Sequence, residues 1–413
     1  KDNISNEPYG VVLPVPKARL HELYYKKGAE KAGVKVMPSR MSILTKRINQ
    51  ERGVCFYCNQ CSRSCQVYAD FSAGSCLIFP AQKSGGQIAL YTDSMVREVT
   101  VDGNGKATGV NYIDKKSGLD YSIKAKVVVM AASSCSTARI LLNSKSASHP
   151  NGLGNSSGLI GKYLHDSTGG GRMGFVPNLM NRKTYNEDGV GGMHLYSPWW
   201  LDNKKLDFAR GYHIEVWGGL GAPSYGFGFN PNDLNSFFGK PVGGYGESLR
   251  QDVKKYYGSL IGMDGRGESI ARKENYCEID PNRKDQWGIP VLRFNYKWSD
   301  EELKQAKHMQ NTFEEIITNM GGIPLGEKPG RDKNYGLQTP GRIIHEVGTT
   351  RMGDDPKKSV VNPFEKLHDL DNVFVVDAGP FVSQADKNPT WTILALSWRT
   401  SDYIVDQFKQ QNF

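Results

Sequence analysis

Four of the chain's seven cysteines, Cys55, Cys58, Cys61 and Cys65, fall within the run RGVCFYCNQCSRSCQVYADFS. Their spacing, C-x2-C-x2-C-x3-C, is one by which small electron-transfer proteins hold iron–sulfur clusters, because thiolates this close can converge on one cubane without long loops. That pattern usually continues with Pro; here Gln66 follows. A structural zinc is the competing reading, although four-cysteine zinc sites usually come as two separated C-x2-C pairs. Disulfides fit poorly, since bridges between cysteines so close in sequence are strained. Free thiols are the remaining alternative. Cys76, Cys135 and Cys277 stand apart and read as small apolar residues, with Cys76 a spare ligand.

The elements that must position this segment follow from periodicity. A chain of 413 residues can bury a sizeable core and divide into more than one domain. Composition is that of a globular protein, 38% hydrophobic and 23% charged, with no run of about 18 apolar residues to make a membrane-spanning helix. The net charge of +9 is spread along the chain rather than gathered in a stripe, which argues for a solvated surface and against nucleic acid. A docking face for an acidic redox partner is its other use. The chain starts at Lys1 with no leader-like segment, so a processed or trimmed N-terminus is expected.

Residues 17–33 read as an amphipathic helix with Leu20, Leu23 and Tyr24 inward. From Gln87, short β-branched runs broken by DGNG and KKSG predict a β-meander, closed by VVVMAA, a run typical of a strand buried on both faces. A helix then opens at CSTARILLNS. From about 150 to 297 the chain is rich in Gly, Trp and Tyr and predicts a mostly antiparallel sheet with long loops. Ser299 and SDEE form a capping box for a helix that Gly321 and Gly322 stop. The tail predicts a buried strand, a loop and a last helix from about Pro389. Trp199, Trp200 and Trp217 read as sheet packing or as a platform for a sugar ring.

Residues 345–404, HEVGTTRMG through NVFVVDAG and NPTWTILALS, resemble the C-terminal signature of the GMC (glucose–methanol–choline) flavin oxidoreductases. GLIGKYLHDS and VVVMAASSCSTARILLNS resemble the family too. The resemblance implies an α/β fold, α+β overall. It would divide into a helix and cysteine segment (1–80), part of an FAD-binding domain (81–150), a substrate domain with a mostly antiparallel sheet (151–340), and the C-terminal part of the FAD-binding domain (341–413). It implies that a hydride moves from an alcohol to flavin N5 while a base takes the hydroxyl proton. His345 matches that base and Asn388 its partner; Asn cannot change protonation, so Asn388 would orient the hydroxyl. Val96, Asp377, Ala378, Gly379, Asn388, Pro389 and Thr390 match positions around FAD. His165, His194, His213 and His368 lack such a context and read as structural.

Family members open with a strand and G-x-G-x-x-G, and no such motif occurs here; GGGRMG at 169–174 has neither the spacing nor the flanking elements. The expectation is therefore the last three-quarters of such an enzyme, with weak or no FAD binding by this chain alone. Among GMC enzymes, the cysteine run resembles bacterial sugar dehydrogenases acting on gluconate or on glycoside C3. This implies a [3Fe–4S] cluster on Cys55, Cys61 and Cys65, or [4Fe–4S] if Cys58 joins. It also implies a sugar or glycoside substrate, a small partner subunit, a c-type cytochrome acceptor, and a periplasmic place with peripheral membrane association through partners. A GMC oxidase or dehydrogenase without a cluster, or a flavin-less relay subunit, are the alternatives.

Overall fold

The structure, a computed structural model, describes residues 12–183, 189–198, 206–219, 235, 237–239, 241–243 and 245–413. The chain forms two compact units, each assembled from separated segments. The first takes residues 1–89, 169–266 and 300–337; the second takes 90–168, 267–299 and 338–413.

The first unit is built on a six-stranded sheet of order β1-β7-β8-β9-β6-β12. These strands are β1 (Met37–Pro38), β6 (Thr168–Phe175), β7 (Leu195–Ser197), β8 (Tyr212–Gly218), β9 (Leu260–Gly267) and β12 (Ile323–Pro324). The β1–β7, β7–β8 and β6–β12 pairs are antiparallel. GGGRMG is thus the body of β6, and Gly174 is small because a Cβ there would reach Ile317 at 2.7 Å. One face of the sheet packs on α1 (Leu20–Lys31) and α5 (Asp300–Asn319) through Tyr25, Ile214, Val216, Met309 and Phe313. Short helices α2 (Phe79–Lys83) and α4 (Gly246–Tyr256) complete the unit.

Helix α1 is present where periodicity predicts it, but turned. It buries His21, Glu22, Tyr25, Gly28 and Ala29, while Leu23 is 48% exposed. The reason is a close helix contact: a Cβ on Gly28 would lie 2.5 Å from the Ile316 carbonyl oxygen and 2.9 Å from Met320 Cβ. The small residues therefore face α5, and Glu22 is buried because Arg19 at 3.0 Å and the His194 amide satisfy it.

In the second unit, β2 (Ser94–Val101), β3 (Ala107–Asp114) and β4 (Asp120–Lys124) form the expected antiparallel meander. Strand β5 (Val128–Met130) pairs in parallel with β13 (Val373–Val375), and β10 (Tyr276–Lys284) pairs with β11 (Pro290–Asn295) as a hairpin. Helix α3 (Ser134–Asn143) is joined to that hairpin by Arg139, which donates to Pro290 O and Asp285 Oδ2 at 2.7 Å and to Ile289 O at 2.9 Å. Helix α6 (Thr390–Lys409) packs Ile393 and Leu396 against Val347, Ala378 and Phe381 and leaves Trp391, Leu394 and Trp398 exposed. Among the described residues no helix is long and apolar enough to cross a membrane.

Candidate active site

His345 lies in the second unit on the irregular segment that precedes the GTT turn, and Asp166 and Ser167 hold it from the end of GLIGKYLHDS. Its backbone N–H donates to Asp166 Oδ1 at 3.0 Å, and the Gly341 N–H donates to Oδ2 at 3.0 Å. One carboxylate therefore fixes the chain on both sides of the imidazole. Burial pushes the Asp166 carboxyl up to about 6, the nearby Glu346 adds to this, and the backbone donors only partly offset it. The imidazole Nδ1 is 3.2 Å from Ser167 Oγ, and Gln384 Nε2 donates to the same oxygen at 2.9 Å. Ser167 and Gln384 are both buried. A hydroxyl oxygen accepts twice, so Ser167 can take both the Gln384 and the Nδ1 protons, a tautomer that leaves the lone pair on Nε2.

Asp166, Ser167 and Gln384 are functional neighbours that sequence reasoning did not single out. The first two sit in a motif it read as family-like; Gln384 carried no signal because its role depends on a contact 217 residues away along the chain.

Asn388 and Thr390 are exposed at the turn into α6, with Pro389 between them half-buried. Asp377, Ala378 and Gly379 follow β13 and are tied to two neighbours. Thr137 of α3 donates to Asp377 Oδ2 at 2.5 Å, and the Gly379 N–H donates to Oδ1 at 2.8 Å. Burial raises the Asp377 carboxyl above its ordinary range against those donors. Thr350 N–H donates to Gly379 O at 3.0 Å, and a Cβ on Gly379 would run into Thr350 Oγ1. Val96 lies in β2 opposite Tyr112, half-buried on the core of this unit.

The cysteine run belongs to the first unit. Cys58 bridges Gly189, and the N–H groups of Tyr57, Gly191 and Ala69 donate to the sulfurs of Cys55, Cys61 and Cys65 at 3.3, 3.1 and 3.3 Å. Burial pushes the Cys55 thiol up, and Cys61, Cys58 and Cys65 add to it. Among the described residues, however, no three or more His, Cys, Asp or Glu side chains are arranged to hold a metal ion. The structure thus lends no support to the expected ligand set Cys55, Cys58, Cys61 and Cys65, and left-handed backbone occurs between successive cysteines at Tyr57, Asn59 and Ser64. Cys76 bonds to Ser75 and Asp70 rather than to the run. Cys135 and Cys277, expected to be isolated, are near neighbours, and Cys277 together with burial raises the Cys135 thiol far above its ordinary range. Trp217 lies on β8, whereas Trp199 and Trp200 fall outside the described residues.

Two GMC oxidoreductase profiles match residues 17–168 and 271–397, together more than half of the chain. A 2-methyl-1,2-propanediol dehydrogenase of Mycolicibacterium austroafricanum is 31% identical over 77% of this chain and 54% of its own length. The gluconate 2-dehydrogenase flavoprotein of Pantoea cypripedii is 27% identical over 96% and 64%, and the fructose dehydrogenase large subunit of Gluconobacter japonicus 25% over 85% and 60%. The chain thus spans just over half to two-thirds of the length of these relatives. A formate oxidase structure from Aspergillus oryzae RIB40 shares the fold with a TM-score of 0.54 at 14% identity, over 77% of this chain and 60% of that one.

Proposed function

Because the chain belongs to the GMC oxidoreductase family, we propose that it forms much of an FAD-dependent dehydrogenase that oxidises a CH–OH group of a sugar, a glycoside or a related polyol. The observation that carries this reading is the holding of His345: backbone fixed by Asp166, Nδ1 by Ser167, and Ser167 by Gln384. An imidazole so oriented presents Nε2 as the atom that would take a hydroxyl proton, which is what a base for alcohol oxidation needs. Asn388, exposed at the turn into α6, would offer an amide to the same hydroxyl.

FAD, when bound, supplies the acceptor for the hydride leaving the alcohol carbon. The donor set fits such a group. Thr350 Oγ1 is buried without a partner among the described residues, Gly379 keeps the space beside it open, and neither α3 nor α6 is closed by a side-chain cap, so their first N–H groups can serve an electron-rich ligand. Val96, Asp377, Ala378, Gly379 and the Asn388–Thr390 turn are the residues that would hold it.

The proposal extends to an iron–sulfur cluster on Cys55, Cys61 and Cys65, with or without Cys58, serving a small partner subunit and a c-type cytochrome in the periplasm. Amide donation to those three sulfurs supports it, since such bonds accompany clusters; the lack, among the described residues, of any three His, Cys, Asp or Glu side chains grouped to hold a metal speaks against it. Iron and acid-labile sulfide analysis separates the cases. Three or four irons per chain support the cluster, and none leaves a GMC alcohol oxidase or dehydrogenase without one. His345→Ala should abolish substrate reduction of added flavin while melting is unchanged, and unaltered turnover would reject the base assignment.

A further inference from the structure

Two cysteines outside the C-x2-C run, distant in sequence, meet inside the second unit. Cys135 is the second residue of α3 and is half-buried; Cys277 is the second residue of β10 and is fully buried. Both belong to one apolar cluster, in which Cys135 packs against a core that includes Cys277, Ala138 and Leu141. A single buried cysteine carries no message, because a thiol packs as a small apolar group. Two brought together on rigid elements are a different matter, because two thiols in reach of each other have a chemistry that neither has alone.

A short relay of hydrogen bonds fixes the backbone beside both. Thr349 Oγ1 donates to Ser134 O at 2.7 Å, the Gly161 N–H donates to Thr349 O at 2.7 Å, and the Cys277 N–H donates to Gly161 O at 2.9 Å. Gly161 has a φ of +84°, and a Cβ there would run into Cys277 O and lie 3.4 Å from Cys277 Sγ. The loop therefore passes that sulfur without a side chain. Farther along α3, Arg139 holds the β10–β11 hairpin, and Asn143 Nδ2 donates to Pro290 O at 3.2 Å. Helix α3 cannot slide along the hairpin without breaking these bonds, so the two cysteines keep their places. Cys277 and burial together disfavour a thiolate at Cys135. A disulfide, by contrast, carries no charge and leaves no S–H group in the apolar core.

We propose that Cys135 and Cys277 form a disulfide bond when the chain stands in oxidising surroundings, stapling the start of α3 to β10. The bridge closes a loop of about 140 residues, and long loops gain most from closure. The co-reactant is a small disulfide such as oxidised glutathione. The half-buried Cys135 sulfur attacks it, the donor S–S bond breaks, and one reduced thiol leaves with the Cys135 proton. The Cys277 sulfur then attacks the Cys135 sulfur from within the core, and a second reduced thiol leaves with the Cys277 proton. Two electrons pass from the pair to the donor, and one new S–S bond remains. Because thiolate is the attacking form, closure is slow and quickens as pH rises. The pair is thus a lasting staple and not a sensor of brief oxidation, and it stays open where thiols are kept reduced. The inference needs neither flavin nor metal and stands apart from the dehydrogenase reading.

The test incubates the whole folded chain with oxidised glutathione at about pH 8.5, near the ordinary thiol range. The reaction is quenched in acid, the chain is unfolded in N-ethylmaleimide, and a tryptic digest is read by mass spectrometry without reduction. The expected product, in most chains, is peptide 127–139 joined to peptide 274–283, and dithiothreitol should separate them. Both thiols recovered as maleimide adducts after prolonged incubation overturn the proposal. So does glutathione held on Cys135 with no linked peptide, or linkage of either cysteine to the 55–65 run instead. Cys135→Ala and Cys277→Ala should each abolish the linked peptide. Oxidation should raise the wild-type melting temperature by about 3 °C or more, a rise that dithiothreitol reverses and neither variant shows. An unchanged melt in the linked wild type, or an equal rise in the variants, overturns the stapling role. Should either variant fail to fold, the wild-type linkage still decides.

Discussion

Replacing Asp166 by Asn should remove a pH dependence that the buried carboxylate imposes on folding. Burial moves the Asp166 carboxyl from 3.8 to about 6, so the folded chain holds this proton more tightly than the unfolded chain does. Between these values the unfolded state binds fewer protons, and stability therefore falls as pH rises. The penalty is absent below about pH 4 and complete above about pH 7; at about 1.4 kcal/mol per pKa unit it amounts to about 3 kcal/mol. Asn keeps an acceptor for one of the two N–H donors, His345 or Gly341, and turns an amide group toward the other. That mismatch costs about 1–3 kcal/mol. The two effects nearly cancel at pH 7, so the level of stability is uninformative and its slope is diagnostic. Urea unfolding of wild type and Asp166→Asn at pH 4, 5, 6, 7 and 8 reads it. The wild type should lose about 3 kcal/mol more than the variant between pH 4 and 7. Parallel pH curves for the two proteins would refute the assignment of the raised carboxyl to Asp166.

Gly28→Ala should lower thermal stability by about 1–3 kcal/mol, because the added methyl meets Ile316 O and Met320 and the gain in helix propensity is smaller; a melt equal to or above wild type would contradict the close α1–α5 contact. Arg139→Lys should cost about 2 kcal/mol or more in the same assay, since one ammonium cannot serve Pro290 O, Ile289 O and Asp285 together. Wild-type stability in that variant would mean the guanidinium fork does not bind α3 to the hairpin. Ser167→Ala should leave Gln384 Nε2 and His345 Nδ1 without their shared oxygen, lowering turnover at least tenfold and altering the pH–rate profile. An unchanged profile would free Ser167 from any part in orienting the imidazole.

Several elements are legible from the sequence because their determinants are local. The meander β2–β4 follows from β-branched runs broken by Gly and Asn, α5 from SDEE and a sustained 3.6-residue apolar period, and β5 from a continuous apolar run. The GMC signature from His345 onward is equally local, and so is the clustering of four cysteines. What sequence alone cannot decide is which face each element buries and what stands across from it. Helix α1 turns its small residues rather than Leu23 inward because α5 approaches Gly28 too closely for a side chain. Ser167 and Gln384 become parts of the His345 setting through contacts across more than 170 residues. The cysteine run supplies sulfurs at cluster spacing, but the Gly191 amide that donates to Cys61 is brought to it from 130 residues away by the fold. The alternation along β8 and β9 is readable, but only the packing of α1 and α5 on one parity leaves His213, Glu215, Trp217 and Asp264 on the other as a polar face. Periodicity fixes which residues share a side; burial is a property of the neighbour, and the neighbour is chosen by tertiary structure.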